Sequence, residues 1–229
     1  MVAGLLSTGL MAGGALAEET PRLITVSGQG QVDAVPDMAT ITLGVTHEHA
    51  EAGQAMDAVS LAMTEMLSRL KALGLEDRQI QTTQITLNPL WANRNHDSNS
   101  APRITGFVAS NAVSVNVLDL DHLGRVMDAV LTGGANDFNG LRFGLQEPEP
   151  LMSQARAKAV DDAIRKAREL ATAAGIELGD VMSITEHGGG RVTPVHAEMS
   201  ARAASVPVAA GEMAVTVGVN MVFEIEDAE

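Results

Sequence analysis

Residues 213–225, MAVTVGVNMVFEI, place an apolar side chain at every second position. Alternation with a period of two is typical of a β-strand that buries one of its faces. The run is longer than most strands of globular proteins, and a strand of such length is typical of the centre of a sheet. We therefore expect the C-terminal strand to lie between two neighbouring strands.

The segment before this strand has no periodicity. Residues 187–211 contain the run Gly188–Gly190 together with Pro194 and Pro207, and they follow a short predicted strand at 180–186. Such composition predicts a long mobile loop at about 187–211. Loops of this length commonly contact a ligand or a partner, so we expect this one to lie at a subunit contact of a homo-oligomer or to line a space that the oligomer encloses.

Three helices are predicted from apolar residues spaced three and four apart. The first spans about 50–73 and ends at Gly74, a residue suited to a left-handed C-terminal cap. A shorter helix spans about 123–131. The third spans about 151–174, ends at Gly175 and has a narrow stripe of small residues that favours close approach to a sheet: Ala155, Ala159, Ala163, Ala167 and Ala171.

The remaining periodic segments alternate as strands do, and they lie at about 22–35, 39–46, 80–90, 103–118 and 140–145. The tripeptide Gly74-Leu75-Glu76 resembles Gly175-Ile176-Glu177, and each precedes a predicted strand. This similarity suggests a repeated helix, turn and strand. The sequence therefore predicts an α+β fold with antiparallel or mixed sheets, amphipathic helices packed on one face, and two β-α-β-β-like units.

Composition excludes several classes of function. The formal net charge is −14, and the basic residues are scattered rather than clustered, so the chain should repel nucleic acid. Aromatic residues make up only 2%, which counts against stacking sites for sugars or bases. No cysteine is present, so thiol catalysis, thiolate metal sites and disulfides are excluded.

The N-terminal residues predict the compartment. Residues 1–17, MVAGLLSTGLMAGGALA, form an uncharged apolar run that ends in the small-x-small pattern Ala15-Leu16-Ala17. We interpret them as a signal peptide that is cleaved before Glu18, with residues 18–229 forming one α+β domain. No later stretch reaches the ~20 apolar residues of a membrane helix, so we expect the mature chain to be soluble or only peripherally attached to the envelope.

No sequence pattern of catalysis or cofactor binding is present. Gly28-Gln29-Gly30 lies inside a strand pattern without a following helix or a Lys-Ser pair, so a bulge or a close backbone approach explains it better than a phosphate loop. No Gly-x-Ser-x-Gly motif occurs. We therefore predict no catalytic residues and no cofactor.

Two features are candidates for a site. His47 and His49 alternate on a strand, so both imidazoles can project from one face and bind zinc or copper. A third ligand would have to come from His96, His122, His187 or His196, and a solvated strand end is the simpler interpretation. Asn111 interrupts the apolar face of its strand, so it is either a structural hydrogen-bonding hub or part of a site.

With these segments placed, the chain resembles the SIMPL-domain family of exported bacterial envelope proteins, which includes periplasmic and outer-membrane immunogenic antigens. The motifs that carry the resemblance in the first half are Ile24–Gly30, Val35–Asp37, Gly74, Ile80–Thr83 and Ile104–Asn111. Those in the second half are Asp119–Gly124, Gly133–Asn136, Ala155–Val160 and Ala173–Gly175. Two positions depart from the family pattern, with Gln29 where an acidic residue is common and Phe107 where Tyr is common.

The resemblance implies periplasmic residence, an α+β fold, self-association and a connection with envelope or oxidative stress, and it implies no active site. Our leading hypothesis is a non-enzymatic, self-assembling periplasmic protein of envelope maintenance or stress tolerance. A periplasmic module that binds a metal or a small ligand is the alternative, and a hydrolytic enzyme is a third. The mass of the native particle separates the first two.

Overall fold

The structure is a computed structural model that describes residues 22–92, 102–195 and 209–226. The strands are β1 Leu23–Ala34, β2 Met38–His49, β3 Ile80–Trp91, β4 Ile104–Val117, β5 Asp137–Gly144, β6 Glu177–Val195 and β7 Glu212–Glu226. The α-helices are α1 Ala52–Ala72, α2 Leu123–Thr132 and α3 Glu149–Ala174. The predicted signal peptide at 1–17 lies outside the described residues.

Two antiparallel sheets organise the chain. One has the strand order β1-β7-β6, and the other has the order β3-β4-β2-β5. All the pairings are antiparallel, and helices cover one face of each sheet. The predicted α+β class is confirmed, and β7 lies at the centre of its sheet as its length predicted.

The two sheets are built from β-α-β-β units of the same topology. In the first unit β2, α1, β3 and β4 give the order β3-β4-β2, and α2 and β5 extend it. In the second unit β1, α3, β6 and β7 give the order β6-β7-β1. The first unit is inserted between β1 and α3 of the second. Gly74 and Gly175 follow the equivalent helices, and both have positive φ, +89° and +69°.

Each unit has its own apolar core. In the first, α1 and α2 pack on β2 and β4 around buried residues such as Ile41, Leu43 and Met66. In the second, the alanine stripe of α3 packs on β1 and β7, with Val217 and Met221 among the buried residues. Each sheet thus keeps one apolar face against its helices, and the opposite face is polar.

The predicted loop at 187–211 is wrong over its first part, because residues 187–195 continue β6. The glycine run forms a bulge between His187 and Arg191, where Gly188 and Gly189 have positive φ. Pairing with the long strand β7 extends β6 past the glycines, and this hydrogen bonding comes from residues distant in the sequence. The part of the predicted loop at 196–208 lies outside the described residues.

Candidate functional site

The two histidines of the predicted metal site lie at the end of β2. His47 pairs with Ala109 and His49 pairs with Phe107 on β4, so both side chains project from the helix-covered face of the sheet. His49 Nδ1 lies 3.1 Å from the backbone nitrogen of Glu51, whose N–H it accepts. Nε2 is therefore the nitrogen that His49 can offer to a metal.

The structure does not bring a third predicted ligand to this pair. His122 Nε2 lies 3.6 Å from an Asp119 carboxylate oxygen in the turn before α2, and His187 is on the other sheet. Within residues 22–92, 102–195 and 209–226, no three His, Cys, Asp or Glu side chains form a group able to hold a metal ion. His96 and His196 lie outside these ranges, so metal binding by His47 and His49 stays a prediction.

Asn111 lies on the helix-covered face of β4 between the buried residues Ala109 and Val113. It pairs with Val45 on β2 and Ile85 on β3. Its Oδ1 atom is buried, and this atom has no hydrogen-bond partner among the residues that the structure describes. A structural hub would need a partner for this atom, and a site would leave it available to a ligand, so both interpretations of Asn111 stay predictions.

Sequence reasoning missed a polar chain on the open face of the three-stranded sheet. Ser27 Oγ donates to Asn220 Oδ1 at 2.7 Å, and Asn220 Nδ2 lies 3.5 Å from His187 Nε2. The register pairs Ser27 of β1 with Asn220 of β7, and His187 of β6 pairs with Gly218, two residues from Asn220 on β7. Because the amide stands between the hydroxyl and the imidazole, His187 cannot take the proton of Ser27 directly, and this arrangement lacks the nucleophile and base contact of a hydrolase.

An open cavity adjoins this polar chain at the bulge of β6. Its volume is about 500 Å³, and its lining includes His187, Arg191, Thr193 and Thr216. The only sequence signal for it was the glycine run, which we interpreted as part of a loop. The register across β6 and β7 is what places these side chains together.

Three side chains of α3 cover the outer edge of β1, which is the edge that does not pair with β7. Lys158 Nζ donates to the Gln31 carbonyl at 2.9 Å, and Lys166 Nζ donates to the Ser27 carbonyl at 3.0 Å. Between them, the Gln29 backbone N–H donates to Asp162 Oδ2 at 3.0 Å. Four residues of helix rise ~6 Å and two residues of strand ~6.6 Å, so the two spacings match along this edge.

The same helix also holds the other outer strand of this sheet. Arg156 Nε and Nη2 donate to the Glu186 carboxylate of β6 at 2.7 and 3.2 Å. The hydrogen bonds from Arg156 lower the pKa of Glu186. Hydrogen bonds from Lys166 and from the Gln29 backbone lower the pKa of Asp162 to about 2. The two carboxylates that join α3 to its sheet, Asp162 of α3 and Glu186 of β6, are therefore ionised at neutral pH.

The Gly133–Asn136 motif closes the edge of the other sheet. The Asn136 side chain donates to the Thr46 carbonyl and accepts from the Thr46 N–H, both at 2.8 Å. Its amide therefore continues the ladder between β2 and β5 beyond the last paired residue. The motif has a structural role that sequence reasoning did not identify.

Among the described residues, no helix combines the length and apolar character needed to span a membrane.

Comparisons with known proteins find relatives that match most of the chain. The 26 kDa periplasmic immunogenic protein of Brucella melitensis is 37% identical over 214 residues, which cover 90% of this chain and 86% of that protein. The uncharacterized protein YggE of Edwardsiella ictaluri is 29% identical over 188 residues, 81% of this chain and 77% of that protein. The model of the SIMPL family, a protein of unknown function (DUF541), matches residues 24–223. Because this match begins in β1 and ends in β7, it includes both β-α-β-β units, and the chain belongs to the SIMPL family.

Proposed function

We propose that this chain is a self-assembling periplasmic protein with a structural role in envelope maintenance or in tolerance of oxidative and envelope stress. Two features support the location: the apolar run at 1–17 with its cleavage pattern, and the similarity to the Brucella protein, which is named as a periplasmic immunogenic protein. N-terminal sequencing of protein from the envelope fraction tests it. A chain that begins at Glu18 is expected, and retention of Met1 would contradict export.

The observation that carries the proposal is the apolar surface of two edge strands. Strand β6 exposes Val181, Met182 and Ile184 to 46%, 54% and 55%, and β3 exposes Ile85 and Trp91 to 60% and 56%. Both strands lie at the edge of their sheets. Exposed, apolar edge strands favour pairing with another chain, because their backbone donors and acceptors are available for a further ladder.

The edge of β1 shows the contrast. There Lys158, Asp162 and Lys166 occupy the outward backbone groups, and the exposed face of β1 is polar after its first residue, Leu23. The same chain therefore blocks one edge with charged side chains and leaves apolar side chains on two others. We infer that β3 and β6 are the contacts between copies.

The open polar face favours a structural role over hydrolysis. The hydroxyl of the polar chain, that of Ser27, donates its hydrogen bond to an amide rather than to the imidazole. General-base activation of a serine requires a direct contact with the base.

Light scattering with variants of the two edges tests the assembly. We expect an oligomer for the wild-type chain, and a smaller particle for Ile85→Lys on β3 and for Ile184→Lys on β6, since a buried lysine at an interface is costly to desolvate. Leu61→Lys is the matched control, because Leu61 is 75% exposed and lies on α1 rather than on either edge strand. A wild-type chain that stays monomeric at high concentration would overturn the proposal.

The cellular role is tested with the same variants. A strain without the gene is expected to lose tolerance to peroxide or to detergent, and the wild-type chain and Leu61→Lys are expected to restore it. Edge variants that remain folded but fail to restore tolerance would connect assembly with function. Full rescue by variants that do not assemble would show that stress tolerance does not depend on assembly.

A further inference from the structure

An apolar cavity lies between α2 and the neighbouring strands β2 and β5 of the four-stranded sheet. Its volume is about 340 Å³. Ile41 and Leu43 of β2 form its floor, Val130 of α2 forms one wall, and Leu131 and Phe138 stand at its mouth. The floor residues are fully buried, whereas Leu131 and Phe138 are about half exposed, 53% and 50%. The cavity is therefore open to solvent through an apolar rim.

The local architecture explains why no side chain of the unit fills this space. Helix α2 packs against α1, and the register between β2 and β5 shifts after Thr42. Phe138 pairs with Leu43 and so lies on the helix-covered face. The small residue Ala135 lines the cavity beside it. A larger side chain at Ala135 would occupy the volume.

The polar residues at the margin are Asn136 and Asp137, and the carboxylate of Asp137 disfavours an anionic ligand. The Asn136 amide uses both its oxygen and its nitrogen on the backbone of Thr46. A charge within these apolar walls would lose its hydration without compensation. Anions are further disfavoured by the net charge of −14.

The volume limits the size of the occupant. It is at the lower end of the range of small-molecule pockets, ~300–1,000 Å³. It is larger than the engineered apolar cavity of ~150 Å³ that binds benzene. We propose that the cavity between α2 and β5 binds a small, uncharged, apolar molecule of roughly one or two rings or an equivalent branched hydrocarbon.

Fluorescence titration with N-phenyl-1-naphthylamine, an uncharged apolar probe, tests this site on the full chain. The wild-type chain is expected to bind one probe per subunit and to saturate. Ala135→Leu fills the cavity and is expected to weaken binding at least ~10-fold, while the melting temperature is kept or raised. Ala173→Leu is the matched control on the exposed surface of α3, and its affinity should equal that of the wild-type chain.

A second variant keeps the test decisive if Ala135→Leu does not fold. Leu131→Gln changes only the exposed rim. It is also expected to weaken binding of the probe, because it places a polar amide at the mouth of the cavity. Fluorescence that rises without saturation, or equal affinity in the wild-type chain and in a folded cavity variant, would overturn the proposal. Light scattering on the same samples tests whether a side chain of a second copy occupies the cavity instead. That occupant would be indicated if Ala135→Leu lost assembly and the wild-type chain showed no saturable binding of the probe. This outcome would also overturn the proposal.

Discussion

At the scale of single residues, the contact between β1 and α3 depends on two glycines that face an alanine stripe. A Cβ atom at Gly28 would lie 2.0 Å from the Ala159 carbonyl oxygen, and one at Gly30 would lie 1.9 Å from the Ala155 carbonyl oxygen. The helix backbone therefore lies directly against the strand backbone. Close approach, one of the two interpretations of the Gly28-Gln29-Gly30 motif, is confirmed, and the register of β1 shows no bulge.

Gly30→Ala is expected to lower the free energy of unfolding by on the order of 3 kcal/mol, because backbone atoms of α3 must move away from the new methyl group. Urea unfolding followed by circular dichroism measures this loss. Gly53→Ala is the matched control: Gly53 lies in α1, and a Cβ atom there meets nothing within 4 Å. The control should gain about 0.5–1 kcal/mol from helix propensity. Equal stability of the two variants would contradict the packing argument.

For the buried amide of Asn111, we predict whether a substitution raises or lowers the free energy of unfolding from the hydrogen-bond partner that its Oδ1 atom lacks. A hydrogen-bonded hub would lose stability on truncation, by roughly 1–3 kcal/mol for Asn111→Ala. Because Oδ1 has no partner among the described residues, we instead expect Asn111→Val to raise the free energy of unfolding by about 1 kcal/mol.

Asn116→Val is the matched control for this prediction. Asn116 lies on the same strand, and its Oδ1 accepts from Thr40 Oγ1 at 2.9 Å. Its replacement is expected to lower the melting temperature. If Asn111→Val is more stable but fails to restore stress tolerance, Asn111 belongs to a functional site. Destabilisation by Asn111→Val would return it to the role of structural hub.

At the scale of secondary-structure elements, α3 organises its sheet from both sides. Lys158, Asp162 and Lys166 cover the edge of β1, and Arg156 binds Glu186 of β6. The helix has small residues on the side that faces the sheet and charged residues along its flanks. Both kinds of residue recur at every fourth position. The Ala155–Val160 motif satisfies both at once.

The ion pairs of Asp162 predict a pH-dependent contribution to stability. Its folded-state pKa, about 2, is below the ordinary value of 3.8, so the stabilisation is present above the ordinary value and is lost as the pH falls toward 2. The side chain retains 19% exposure, so solvent screening reduces the effect and we expect Asp162→Asn to cost about 1 kcal/mol at pH 7.

Urea unfolding at a series of pH values measures this contribution. The difference between the wild-type chain and Asp162→Asn should shrink as the pH falls below about 4 and should vanish only once the pH is below the folded-state pKa of about 2. Asp161→Asn is the matched control, because Asp161 is the neighbouring exposed residue of the same helix. A difference for Asp162→Asn that is independent of pH would show that charge is not its cause.

At the scale of the whole molecule, the connection between the two units is held by Gln146. Its Nε2 atom donates to the carbonyls of Asp37 and Leu118 at 2.9 and 3.0 Å. Its backbone N–H donates to Asp37 Oδ1 at 2.8 Å. The turn after β1, the end of β4 and the link into α3 therefore meet at one side chain. The predicted turn at Pro36-Asp37 is part of this junction.

Gln146→Ala is expected to weaken the junction, because two carbonyl groups lose their donor. Hydrogen exchange followed by mass spectrometry should show faster exchange in peptides that cover the two links between the units, while the core strands of each unit keep their protection. Gln84→Ala, at an exposed position on β3, is the control and should leave exchange at the links unchanged. Uniformly faster exchange across both cores would instead mean that the units unfold together.

Local periodicity and turn residues predicted most elements of the fold from the sequence. The alternation at 213–225 predicted both β7 and its central position, and the helical spacing at 50–73 and 151–174 predicted α1 and α3 closely. The short resemblance between Gly74-Leu75-Glu76 and Gly175-Ile176-Glu177 indicated the repeated unit. These features are determined within a few neighbouring residues, so they are visible in the sequence itself.

The sequence by itself therefore determined the α+β class, the helices, the central strand and the absence of thiol chemistry. Only the tertiary structure decided that β6 continues through Gly188–Gly190, that Asn220 separates Ser27 from His187, and that Asn111 Oδ1 is buried without a described partner. It also decided which edges α3 covers and where the cavity beside α2 opens. Strand register and helix placement arise from contacts between residues far apart in the chain, and local composition does not encode which of these residues meet.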